Sequence, residues 1–310
     1  MKTKTRGFIT VATGNERYYR MARNLLRSYR LNCAEPTRFA IIADCNNEYT
    51  AEFDDVIILE NATRSWMDKM ALLTNCPYDE NIFIDADCLI YRDINFYWKL
   101  YESADDFSCF GKSLPLDSKE GWYTDQAAQI FPIKSVIHLH GTAYFIRKSD
   151  TIDRMYSICN DIIEKYHQVK FRDFNDRLAD EPIFALAMGI MDLKPIMRKQ
   201  EYYCFVPWTI KLKTDYLSRN IRYLNPGEEW CSYCVLLHWG NVNTGKAVYL
   251  TEIHKMNYQL SGKNNRIYKF FFYDLYLYYS IHRIRDVAIN CSNKLRWILY
   301  QMRQKLFGRR

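Results

Sequence analysis

Asn81-Ile-Phe-Ile-Asp-Ala-Asp87 is the stretch on which the fold turns. Ile82, Phe83 and Ile84 follow one another without polar alternation. That is the pattern of a strand covered on both faces, and such strands belong to parallel sheets with helices on either side. The run ends in Asp85 and Asp87, and open α/β sheets bind ligands beyond the carboxyl ends of their strands. Upstream, Gly7-Phe-Ile-Thr-Val-Ala-Thr13 repeats the pattern and stops at Gly14-Asn15; Arg38-Phe-Ala-Ile-Ile-Ala-Asp44 and Asp55-Val-Ile-Ile-Leu-Glu60 repeat it again. Between the first two runs, Tyr19, Ala22, Leu25, Leu26 and Tyr29 recur at helical spacing, and Pro36 marks the break. A second helix is predicted over residues 65–75, ahead of Pro77. Together these elements predict an α/β, Rossmann-like domain, its mostly parallel sheet flanked by helices.

Past the acids the order loosens. Residues 112–134 hold two prolines and Trp122-Tyr123 and read as a functional loop or lid. Residues 136–147 return to strand character around Gly141, and the spacing of Ile152, Met155, Ile158, Ile162 and Ile163 predicts a helix over 151–166. Asp180 opens another helix with Pro182 in its first turn, and residues 202–223 form an aromatic, basic loop or hairpin region. The expected division is one domain over 1–262 and a tail over 263–310.

The net charge of +7 is unevenly placed. From residue 263 onward eleven Lys and Arg face two acids, a balance of +9 that leaves −2 for everything before it. Leu277, Ile281, Ile284, Ala288, Cys291, Leu295, Ile298 and Met302 alternate spacings of four and three, so the tail reads as a basic, aromatic amphipathic helix. Three roles suit it: binding an anionic membrane surface, forming a homodimer, or capping the domain. It is too polar to span a bilayer. The apolar run 7–13 is too brief for a secretory signal, and the ten cysteines lack zinc-site spacing. A cytoplasmic protein with reduced thiols is expected, peripheral on the inner face of the membrane if the tail binds there.

If the chain turns after the strand, Asp85 and Asp87 can share one divalent cation; an extended strand would send them to opposite faces. Carboxylates with phosphate oxygens suit Mg²⁺ or Mn²⁺. A second feature lies far along the chain, where the apolar run Leu236-Leu delivers His238 and Gly240, Gly245 and Lys246 follow. Glycine backbone with a lysine can close on a pyrophosphate. A phosphatase built on Asp-x-Asp would carry the motif on its first strand, and here the motif ends the fourth. A non-enzymatic alternative uses the basic tail for nucleic acid or membrane.

With these residues in view, the chain resembles the retaining glycosyltransferases of family 8 and their relatives of the A-type (GT-A) glycosyltransferase fold, over roughly residues 7–246. Thr10-Val-Ala-Thr-Gly-Asn15 is similar to the family's first strand and nucleotide-contacting turn, which implies donor contacts at Thr10, Ala12, Thr13 and Asn15. Lys69, in Trp66-Met-Asp-Lys69, resembles the basic residue carried toward the donor sugar or phosphate. Phe83-Ile-Asp-Ala-Asp87 resembles the metal motif, with Asp85 and Asp87 as metal ligands, Asp85 and Ala86 at the nucleotide, and His238 as third ligand. Gly240 and Lys246 would sit at the diphosphate, and Asp180 and Glu181 at the donor sugar as catalytic residues. The resemblance implies Mn²⁺ or Mg²⁺, a UDP-sugar donor (UDP-glucose or UDP-galactose), and transfer of the hexose with retention. The acceptor would be a saccharide or lipid-linked saccharide in surface polysaccharide or glycoconjugate synthesis, and no nucleic-acid partner is expected. Departures stand at His140, where the family often has Asn, at Glu181 in place of Gln, and in the spacing of Gly240 and Lys246 after His238.

Overall fold

The computed structural model describes residues 4–123, 125–172, 177–262 and 268–307. Its first half alternates as expected: β1 (Arg6–Ala12), α1 (Glu16–Asn32), β2 (Arg38–Ala43), β3 (Asp55–Ile58), then β4 (Glu80–Ile84) and the short β5 (Cys88–Ile90). There follow α2 (Phe96–Tyr101), β6 (Phe107–Leu114), α3 (Asp125–Ile130), β7 (Val136–Arg147), α4 (Asp150–Glu164), α5 (Tyr166–Val169) and α6 (Asp180–Met191). The last third holds β8 (Ile196–Met197), β9 (Cys204–Phe205), β10 (Lys211–Asp215), β11 (Asn220–Leu224), β12 (Leu236–His238), α7 (Ala247–Leu260) and α8 (Tyr268–Phe307).

Seven strands form the central sheet in the order β3-β2-β1-β4-β7-β6-β8. β3, β2, β1 and β4 are parallel, while β7 runs antiparallel to both β4 and β6, so it alone is reversed. Within β1, Phe8 faces one core and Ile9 the other, and both are completely buried. This is why the strands lack polar alternation: both faces of the sheet are covered. One core packs α4 and α6 on the sheet through Ile152, Met155, Ile183 and Phe184; the other packs α1 through Ala22, Leu25, Leu26 and Tyr29. A second, three-stranded sheet β5-β12-β9 lies beyond the end of β4, and β10 with β11 makes a hairpin.

One local expectation is revised and two are given detail. The segment predicted as a helix over 65–75 winds as a 3-10 helix, Trp66–Leu73, and its three-residue period puts Trp66 and Lys69 on one side. The described residues of 112–134 are anchored at several points: β6 extends to Leu114, the Tyr123 hydroxyl donates to Ser135 O at 2.8 Å, and Trp122 Nε1 donates to Leu139 O at 3.2 Å. The basic region over 202–223 resolves into β9, a 3-10 turn and the hairpin.

The described residues of the tail form α8, Tyr268–Phe307. It meets α7 through Tyr278, which stacks on His254 at 4.7 Å, and through Asp286, which accepts the Ala247 backbone N–H at 2.8 Å. The apolar seam is turned elsewhere, with Leu277, Ile281, Ile284, Leu295 and Met302 exposed. Phe270 to Tyr273 lie where side chains fall outside the described residues. Among the described residues, no helix is long and apolar enough to cross a membrane.

Candidate active site

β4 stops at Ile84 and the chain turns at once: the Cys88 N–H donates to Asp85 O at 3.0 Å, and Trp239 N–H to Asp87 O at 3.1 Å. That turn brings both carboxylates to one side. β12 then pairs antiparallel with β5, placing His238 opposite Cys88. As a result His238 Nε2 lies 2.9 Å from Asp87 Oδ1 and 3.7 Å from Asp85 Oδ2. Asp87 and His238 are 7% and 5% exposed. Asp87 Oδ1 is buried and faces the His238 imidazole, with no other donor aligned on it among the described residues. A buried carboxylate with so few partners is costly, and a cation held between these groups would satisfy it. The donor set of two carboxylates and an imidazole suits Mn²⁺ or Mg²⁺. The Cys88 thiol is near enough to complete a three-atom cluster with Asp87 and His238. Burial, with the two Asp charges, pushes that thiol well above its ordinary range, and a soft sulfur is not the donor that Mn²⁺ or Mg²⁺ selects.

The electrostatics of the trio are mutual. Burial and the charge of Asp87 push Asp85 up, against Lys69 and His238, which pull it down. Burial works against ionisation of Asp87 as well, but His238 outweighs it and holds the carboxyl low. For His238, burial opposes the charged form, while Asp87 and Asp85 more than offset it and raise the imidazole.

Lys69 links this trio to a second acidic pair. Its Nζ lies 2.9 Å from Asp85 Oδ2 and 3.4 Å from Asp180 Oδ2. Burial opposes its charge, but Asp180 and Asp85 raise it. Asp180, at the start of α6, also accepts from the Tyr144 hydroxyl at 2.9 Å. Glu181 accepts the Gly141 backbone N–H at 2.6 Å, and burial together with Asp180 pushes it up to about 7. A side chain at Gly141 would not fit, since a Cβ there would lie 2.5 Å from Glu181 Oε1.

A cavity of about 430 Å³ opens over the cluster, lined among others by Ala12, Thr13, Lys69, Asp85, Ala86 and Asp87. The other residues singled out in the sequence lie around it or away from it. Thr10 is fully buried inside β1 with its hydroxyl unpartnered among the described residues. Asn15 caps α1, accepting from Arg17 N at 2.9 Å. Gly240, at φ +66°, packs so tightly that a Cβ would meet Pro207 at 2.7 Å. Lys246 is an exposed residue preceding α7 and does not line the cavity. His238 sits behind Asp87.

Several groups at the cavity were not foreseen. Arg64, in left-handed backbone at φ +58°, Trp66, Arg177 and Tyr18 line it. Asp44 accepts from Gly14 N at 3.1 Å and Arg64 Nε at 3.0 Å, and also holds the Tyr19 hydroxyl. Its position after β2 was the available signal, because it too is an acid at a strand's carboxyl end. Buried Asp68 accepts from the Thr13 hydroxyl at 2.5 Å and from the Thr63 and Arg64 backbone N–H groups at 2.7 and 2.9 Å, so it fastens the 63–65 turn to β1. No periodicity marks such a residue.

No protein-family model matches the chain, and no curated protein matches it in sequence. Among solved structures, it is similar to the WbbM bifunctional glycosyltransferase in its apo form, at 9% identity and a TM-score of 0.47, over 66% of this chain and 40% of that one. Mouse xyloside xylosyltransferase 1 is similar at 10% identity and a TM-score of 0.46, over 77% and 99% of the two chains. The galactosyltransferase LgtC, solved with donor and acceptor sugar analogs, is similar at 9% identity and a TM-score of 0.44, over 64% and 75%. The chain thus spans less than half of WbbM and most of the other two. All three are glycosyltransferases; this chain has a mixed α/β fold with a mostly parallel sheet, its strand ends gathering Asp85, Asp87 and His238 under one cavity.

Proposed function

We propose that the chain is a family-8-like, metal-dependent glycosyltransferase that moves a hexose from a UDP-sugar, UDP-glucose or UDP-galactose, to a saccharide or lipid-linked saccharide with retention. The observation that carries the reading is the meeting of Asp85, Asp87 and His238 within ion-pair distance beneath the cavity. Asp85, Asp87 and His238 would hold Mn²⁺ or Mg²⁺, which when bound supplies positive charge to a departing diphosphate. Ala12 and Thr13 border the side for the base, and Arg64 and Arg177 bring further positive charge to the cavity wall. Lys69 compensates Asp85 and Asp180, so the acidic floor accepts an anionic ligand at less electrostatic cost.

Asp180 and Glu181 are assigned to the sugar on this reading; neither lines the cavity, and Asp180 adjoins it through its ion pair with Lys69. A carboxylate on the face opposite the leaving group would stabilise an oxocarbenium-like centre or bond to the anomeric carbon as the diphosphate leaves; an acceptor hydroxyl then bonds to that carbon from the leaving-group face, releasing any carboxylate bond, and its proton passes to a phosphate oxygen of the departing UDP. Tyr144 and Lys69 fix Asp180, and Gly141 N–H fixes Glu181. The test is release of UDP from UDP-glucose and UDP-galactose with Mn²⁺ and a panel of acceptors. Wild-type protein releases UDP and Asp87→Ala does not; full turnover in excess EDTA would overturn the metal reading.

The tail supports a companion proposal, that the protein works at the inner face of an anionic membrane. Val287, Ile289, Leu295, Trp297, Leu299 and Tyr300 are exposed on α8, and no acid follows Asp286. Apolar and aromatic side chains with cations favour such a surface, at about 1 kcal/mol for each nearby cation. Removing residues 287–310 should abolish co-sedimentation with phosphatidylserine vesicles; concentration-dependent dimerisation without vesicle binding would favour a homodimer instead.

A further inference from the structure

From His238, one of the proposed cation ligands, a buried hydrogen-bonded chain leads back to two side chains that the proposed function leaves unused, Thr142 and His140. His238 Nδ1, on the side of the ring away from Asp87, is 2.8 Å from Thr142 Oγ1. The same hydroxyl is 2.7 Å from His140 Nδ1. Thr142 is fully buried and His140 is 6% exposed. The rings are boxed in by aromatic edges: Phe205 meets His140 at 4.5 Å and His238 at 4.9 Å, and Trp208 meets His140 at 5.0 Å. Thr142 is also joined by its backbone to the acid motif, since its carbonyl accepts the Asp85 N–H at 3.1 Å. One residue of β7 therefore fastens the strand end that carries Asp85 and the ring that carries the third ligand atom.

Proton bookkeeping makes this arrangement directional. A threonine hydroxyl has one proton, so it donates to one of the two Nδ1 atoms and accepts from the other. A histidine that gives its Nε2 lone pair to a cation carries its proton on Nδ1. His238 then donates to Thr142, Thr142 donates to His140 Nδ1, and the His140 proton must sit on Nε2. With no cation, a neutral His238 keeps its proton on Nε2 facing Asp87, and both hydrogen bonds run the other way, with His140 protonated on Nδ1.

We propose that Thr142 is a positioning residue that locks the ring and the tautomer of His238 for cation binding, and that His140 is the far end of the same hydrogen-bonded relay. The proposal rests on the metal reading of Asp85, Asp87 and His238. It gives the histidine at position 140, where the sequence departs from the resembled pattern, a physical task. Outer partners of a metal-bound imidazole typically change metal affinity about 10- to 100-fold when removed.

The test uses the full-length protein and the metal alone. Free Mn²⁺ is followed by electron paramagnetic resonance during titration of wild type, Thr142→Val and Thr142→Ser. Thr142→Val, which keeps the shape and loses the hydroxyl, should weaken Mn²⁺ binding about 10-fold or more, and Thr142→Ser should restore it. Because the valine variant could disturb packing, the wild-type protein gives a second readout. Its ¹⁵N-labelled imidazoles, observed by NMR, should show His140 passing from the Nδ1–H to the Nε2–H tautomer as Mg²⁺ saturates the site. An unaltered affinity in a folded Thr142→Val, or a His140 tautomer indifferent to Mg²⁺, overturns the relay while leaving the metal site standing. Wild-type protein that binds no Mn²⁺ removes the metal reading itself, and the relay with it.

Discussion

Replacing Lys69 with Met removes the cation between Asp85 and Asp180 while keeping most of the side chain's bulk. Lys69 sits 2.9 and 3.4 Å from the two carboxylates, and its side chain is only 15% exposed, so solvent can do little to replace it. Deleting one partner of a buried ion pair costs about 3–5 kcal/mol. The variant has an escape, which sets the ceiling: it can bind a proton on one carboxylate, at about 1.4 kcal/mol for each pH unit above that group's ordinary value near 4. At pH 8 the ceiling is therefore about 5.6 kcal/mol, and at pH 5 about 1.4 kcal/mol. The sign follows from the direction of the shift. A carboxyl raised in the folded state binds a proton there that the unfolded chain has already lost, so stability falls as pH rises across that interval. Asp85 is already raised in the presence of Lys69, and removing the cation widens the interval. Urea unfolding followed by tryptophan fluorescence in EDTA at pH 5, 6.5 and 8 should show Lys69→Met losing roughly 3–5 kcal/mol at pH 8 and about 1 kcal/mol at pH 5. A deficit below about 1 kcal/mol at pH 8, or one that does not change with pH, would refute Lys69 as the counter-ion of this cluster.

Other expectations follow from the same geometry. Glu181 is pushed up to about 7, so a Glu181→Gln protein should melt at a higher temperature than wild type at pH 8 and show less gain at pH 5. Equal melting points at pH 8 would contradict the burial argument. Gly141→Ala would place a Cβ 2.5 Å from Glu181 Oε1 and 2.9 Å from Tyr144 Oη, and overpacking of this kind costs about 1–3 kcal/mol; calorimetry showing no loss would mean that the pair yields freely. Asp68→Ala should leave the Thr63 and Arg64 N–H groups without their acceptor and expose residues 63–65 to faster hydrogen exchange, whereas unchanged protection would deny Asp68 its fastening role.

The parts of this site readable from sequence were those written in short range. Ile82 to Asp87 told of a buried strand running into acids, and the condition that the chain turn there is met by the Cys88 N–H to Asp85 O bond. His238 was reachable because an apolar run delivers it, and that run is β12. What could not be read was register between distant strands. That Thr142 would stand between His140 and His238 depends on β7 pairing with β4 and on β12 joining β5, which no local pattern encodes. Asp68 and Asp44 were missed for a related reason: each is spent on backbone N–H groups of separate loops. The tail shows the limit of periodicity in another way. Its heptad seam is regular, yet contact with α7 is made by Tyr278 and Asp286, because the start of α7 offers an unpaired backbone N–H at Ala247 for a carboxylate to accept.

The central claim is that Asp85, Asp87 and His238 grip one divalent cation beneath the cavity. Crystals soaked with Mn²⁺ and UDP, and measured for anomalous scattering, address it directly. The account predicts a single strong peak about 2 Å from an Asp87 carboxylate oxygen and from His238 Nε2, with the diphosphate against it. A nucleotide bound with no peak there, and with Asp87 and His238 still 2.9 Å apart and facing only each other, would contradict it.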